Sequence, residues 1–86
     1  MTPQQIAVQA KQYWKEHYPE SYRTLKQYNQ LESEALATGK LTRQEMDAQR
    51  AVGLSELEAW IASREYFVLR DPLLEWSPPE EPEPKK

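Results

Sequence analysis

The 86-residue chain has no cysteine, so it can form neither a disulfide nor a thiolate metal site, and a cytoplasmic setting is expected. A single histidine, His17, leaves no second imidazole to complete a familiar zinc set. Glycine occurs only at Gly39 and Gly53, which excludes a phosphate-cradling glycine-rich loop, and no serine sits in a nucleophile-elbow pattern. No stretch approaches the ~20 apolar residues that span a bilayer. The first residues, Met1-Thr2-Pro3-Gln4-Gln5-Ile6-Ala7, have neither the basic start nor the apolar run of a signal peptide.

Strong charge of one sign is also missing. The net charge is −3, and residues 1–40 carry five Lys/Arg against four Asp/Glu, residues 41–70 four against five, and residues 71–86 two against five. The body is close to neutral and the negative excess belongs to the tail. Nothing here supplies the basic face that displaces counterions from phosphates, so nonspecific nucleic-acid binding is not expected. No catalytic residue, cofactor or metal is assigned.

What is present points to a small core. Apolar residues make up 38% of the chain and charged residues 29%, so one domain is the ceiling and its interior must be thin. Three Trp, five Tyr and one Phe compensate, since each aromatic ring buries about 150–250 Å².

Helix signals are frequent. Thr2-Pro3-Gln4-Gln5 reads as a capping box with proline in the first turn, and Ile6, Ala10, Tyr13/Trp14 and His17 recur at helical steps until Pro19 intervenes. Pro19 opens a second helix to about Thr38, with Tyr22, Leu25, Tyr28, Leu31 and Ala35/Leu36 facing inward and Gly39 as its stop. Thr42-Arg43-Gln44-Glu45 reads as a second capping box, with Leu41 stapled onto Met46. Ser55-Glu56-Leu57-Glu58 reads as a third, after a break or kink near Gly53. The last helix, about residues 55–70, carries Leu57, Trp60, Ile61 and Val68 inward and is halted by Pro72. Leu73, Leu74 and Trp76 then form a short apolar patch, and the last ten residues hold four of the seven prolines. A segment of that composition is expected to stay extended and disordered.

Candidate chemistry is sparse. His17 follows Trp14 at a helix end, where packing or interaction with the helix dipole accounts for it. Glu32/Glu34, Glu56/Glu58 and Glu80/Glu81 have spacings that do not bring helical side chains face to face. The segment Ala48-Gln49-Arg50-Ala51-Val52-Gly53-Leu54-Ser55 resembles the turn of a helix-turn-helix motif. That resemblance implies DNA contacts by Arg50 and Arg64, although the following helix begins with Glu56 and Glu58, acids that phosphates repel. A helix–Gly–helix corner in a bundle is the simpler reading.

The run Lys15-Glu16-His17-Tyr18-Pro19-Glu20-Ser21-Tyr22, with Leu25 and later Gly39-Lys40-Leu41, resembles the Lys-Glu-His-x-Pro-x-x-Tyr-x-x-Leu and Gly-Lys-Leu elements of small TnpV-type transposon-encoded proteins. The resemblance implies association with a mobile element and adds no catalytic residue.

These observations give an all-α domain, residues 1–72, built as a small bundle of three or four helices, followed by an apolar patch and a disordered acidic Pro-rich tail at 73–86. The function expected is that of a noncatalytic protein-binding module: a small regulator, adaptor or inhibitor of a larger complex. Leu73, Leu74 and Trp76 are the candidate partner contacts. A DNA-binding regulator turning at Gly53 is the alternative, and a self-associating structural subunit, hence a homo-oligomer, is a third reading.

Overall fold

Helix α1 (Pro3–His17) begins as its capping box dictates: the Gln5 amide donates to the Thr2 hydroxyl at 3.1 Å, and the Thr2 amide donates to Gln5 Oε1 at 2.9 Å. The computed structural model describes residues 1–74 and 76, and its elements are α1, α2 (Pro19–Gln27), α3 (Leu31–Ala51) and α4 (Glu56–Phe67). The protein is therefore all-α, with four helices among the described residues. The proline-rich tail expected to be disordered lies outside them.

The second helix does not run to Gly39. It stops at Gln27, because Asn29 takes up a left-handed conformation (φ 60°). The Gln30 amide then reaches back to the Leu25 carbonyl at 2.8 Å and the Asn29 amide to that of Lys26 at 3.1 Å. This is a Schellman closure with asparagine in the place glycine usually takes. Gly53 closes α3 in the same way at φ 113°, with the Leu54 amide on the Gln49 carbonyl and the Gly53 amide on that of Arg50. The expected break near Gly53 is thus present, and Ser55 caps α4 through a reciprocal pair with Glu58.

Gly39 has a different role from a helix stop. It is buried in the middle of α3, where a Cβ would overlap the Pro3 carbonyl oxygen and approach the Ala7 amide nitrogen to 3.3 Å. The α1 and α3 backbones pack almost directly on each other there, in antiparallel sense, as the Lys11–Glu32 pair at 2.8 Å shows further along. The expected capping box at Thr42 is likewise absorbed into α3, and the Thr42 hydroxyl donates to the Thr38 carbonyl at 2.7 Å. Leu41 consequently does not staple onto Met46 but faces outward.

Leu31, Ala35, Gly39, Thr42 and Met46 form one buried stripe along α3, to which Ile6, Ala10 and Trp14 of α1 and Leu25 of α2 add their side chains. Helix α4 packs along α3 with the small Ala59 and Ser63 buried. Of its expected inward stripe, Val68 is buried and Trp60 half-buried. Leu57 and Ile61 are exposed, because the small residues, not the large ones, let α4 settle onto α3.

An ion cluster ties three helix ends together. Arg43 donates to Asp47 at 2.7 Å, to Glu56 at 2.9 Å and to the Met1 carbonyl at 2.6 Å, while Glu56 also receives the Met1 amino group and Arg50. Hydrogen bonds from Arg43 and then from the Met1 amine hold the Glu56 carboxyl down at about 2.

Two predictions follow from this packing. Gly39→Ala should lower stability by about 1–3 kcal/mol, the cost of overpacking, although the same change in an open helix gains about 1 kcal/mol. Thermal melting checks the sign, and a rise would refute the close approach. For Glu56, the depressed carboxyl contributes stability that is fully present above the unfolded value of 4.5 and is lost as pH falls through about 2. Glu56→Gln should therefore melt a few degrees below the wild type at pH 7, with the gap closing towards pH 2.

Candidate partner-binding groove

Helix α4 is shorter than α3, so the flank of α3 around Glu34 and Thr38 is left to the chain that follows α4. That chain is held at several points. The Trp14 indole donates to the Val68 carbonyl at 3.0 Å, anchoring the end of α4 to α1. Asp71 accepts from the buried Ser21 hydroxyl at 2.6 Å and from the Leu73 amide at 3.0 Å, which fixes the turn onto α2. Trp76 then meets the Tyr28 ring edge-on, with centroids 5.7 Å apart and planes at 62°.

Between this strap and α3 lies an open groove of about 280 Å³. The buried Trp14 and the half-buried Phe67 and Trp76 line its deeper part, while Leu41, Tyr66 and Leu74 stand at its edge with 49%, 61% and 64% of their surface exposed. Glu34 and Thr38 contribute from α3 and Arg70 from beyond α4. Burial pushes the Glu34 carboxyl above its ordinary value, and it makes no hydrogen bond or ion pair among the described residues. Arg70 donates through Nη1 to the Tyr66 carbonyl at 3.0 Å. A second hollow, bounded by Glu45, Tyr66, Phe67 and Arg70, shares three of these residues and continues the groove along α3.

The structure divides the patch read from the sequence. Leu73 and Trp76 pack against the core, so Trp76 acts as a lid, whereas Leu74 is turned outward at the groove. Leu41, Tyr66 and Glu34 were not singled out as contact residues by sequence reasoning. A signal existed for Leu41: in one continuous helix it falls off the Leu31-Ala35-Gly39-Thr42-Met46 stripe.

The candidate DNA contacts are engaged elsewhere. Arg50 donates to Glu56 at 3.3 Å, and the Arg64 guanidinium lies 5.9 Å from the Trp60 ring centroid. His17 stacks on Tyr13 with centroids 4.2 Å apart, which accounts for it as a packing residue at the end of α1. Among the described residues no group of three His, Asp or Glu side chains is placed to hold a metal ion, and no helix is long and apolar enough to cross a membrane.

Because Trp76 covers Tyr28 and the core edge, Trp76→Ala should destabilise the isolated protein by about 1–3 kcal/mol, a fall of several degrees in melting temperature for a domain of this size. Unchanged melting would show that the strap is not docked.

Compared with known families, with characterised proteins and with solved structures, the chain matches none.

Proposed function

We propose that this chain is a noncatalytic protein-binding module, a small regulator, adaptor or inhibitor that receives part of its partner in the groove beside α3. One observation carries the reading: a chain with only 38% apolar residues leaves three large apolar side chains, Leu41, Tyr66 and Leu74, exposed around a single concavity. Scattered exposed apolar residues are ordinary, but a cluster edging a groove is what contact surfaces use. Aromatic residues at the centre of such surfaces carry most of the binding energy. The engagement of Arg50 with Glu56 and of Arg64 with Trp60 favours this reading over the DNA-binding one. The TnpV-type motifs add to the proposal an origin in a mobile element, and the cysteine-free composition adds cytoplasmic residence.

Site-specific photocrosslinking in the native host tests it. A benzophenone side chain at position 41 or 66 should capture one common protein, and the same group at Val8, which is exposed on α1 and does not line the groove, should not. Equal capture from all three positions, or from none, would contradict the proposal.

A further inference from the structure

The groove has an electrostatic character beyond its apolar edge. Among the described residues, its two continuous hollows are lined by three carboxylates, Glu34, Glu45 and Asp71, against one guanidinium, Arg70. Two of the carboxylates are satisfied within the chain: Asp71 accepts from Ser21 and from the Leu73 amide, and Glu45 accepts from Gln49 at 3.0 Å. Glu34 is not. It sits half-buried beside Thr38, its carboxylate makes no hydrogen bond or ion pair among the described residues, and partial burial pushes that carboxyl above its ordinary value. Arg70, the cation that shares the groove, donates to the Tyr66 carbonyl at 3.0 Å.

A carboxylate partly withdrawn from water gains when a cation arrives to replace the lost part of its hydration. Leu41 lies between Glu34 and Glu45 on α3 and Tyr66 lines both hollows, and those two acids are eleven positions apart, roughly 16 Å along the helix axis at 1.5 Å per residue. The surface therefore presents an acid, an apolar centre and a second acid in line.

Resting on the protein-binding reading above, we infer that the groove accepts a peptide segment in which an aromatic or aliphatic side chain is accompanied by a lysine or arginine, and that this cation pairs with Glu34. The apolar side chain settles among Leu41, Tyr66 and Leu74 and supplies most of the affinity. The Glu34 pair selects basic segments over acidic ones, since like charges brought together on a partly desolvated surface oppose binding.

Selection of random phage-displayed peptides on the full chain, followed by affinity measurements with a selected synthetic peptide, tests this. Enriched peptides should combine an aromatic or aliphatic residue with Lys or Arg. Glu34→Gln should weaken the selected peptide roughly five- to tenfold, the scale of a partly exposed ion pair. Replacing the peptide's base by norleucine should weaken wild-type binding by a similar factor and have little further effect on Glu34→Gln. Glutamine keeps the size of the side chain and removes a half-buried charge that has no side-chain partner among the described residues, so the variant should melt no lower than the wild type. Enrichment of neutral or acidic peptides that lose binding on Leu41→Ser but ignore Glu34→Gln would overturn the cation pairing while leaving groove binding intact. Failure to enrich any peptide above background would overturn both.

Discussion

The near contact of the α1 and α3 backbones at Gly39 is the constraint on which the rest of the molecule depends. With so few apolar residues, the chain cannot fill a wide space between helices. Instead it brings them together through small residues: Gly39 against Pro3 and Ala7, with Ala10 and Ala35 also buried. Close approach at one point fixes the register of the antiparallel pair. The Lys11–Glu32 bridge and the hold of Arg43 on the Met1 carbonyl lie on opposite sides of that point and match the same register. The Lys11–Glu32 bridge would not specify it alone, since exposed ion pairs contribute only about 0–1 kcal/mol.

The large aromatic residues serve away from that close approach. Trp14 fills the end of the α1–α3 pair and satisfies its indole nitrogen on the Val68 carbonyl, which locks the exit of α4. Asp71 and Trp76 carry the lock onward to Ser21 and Tyr28 of the α2 region. The groove is a consequence of this arrangement, because α4 ends partway along α3 and the strap that replaces it crosses towards α2. Glu34 lies at the gap between them.

Much of the fold was legible in the sequence. The Thr2 and Ser55 capping boxes, the proline boundary at Pro19 and the turn at Gly53 all rest on local backbone chemistry that acts within a few residues. The misreadings concern Gly39 and Asn29. Glycine next to lysine reads as a helix end, and asparagine is the less common choice for a left-handed stop, so local rules favoured the wrong residue. Gly39 is needed for tertiary packing, and a contact with Pro3 thirty-six positions earlier leaves no local trace. The same holds for α4, where Leu57 and Ile61 suggested an inward stripe and Ala59 and Ser63 occupy it. The groove was half legible: the apolar character of Leu73, Leu74 and Trp76 was plain, but their division into lid and edge depended on Tyr28 and Asp71. Glu34 and Leu41 emerged only once α3 proved continuous.

Binding in the groove requires that the strap be docked in the isolated protein, since an undocked strap would leave the Glu34 flank of α3 as open surface with no second wall. The most direct measurement is a proton NOE experiment on the free chain. Cross-peaks are expected between the Trp76 and Tyr28 rings, with the Trp14 indole proton protected from exchange by the Val68 carbonyl. Absence of the Trp76–Tyr28 cross-peaks in an otherwise folded protein would contradict that docking.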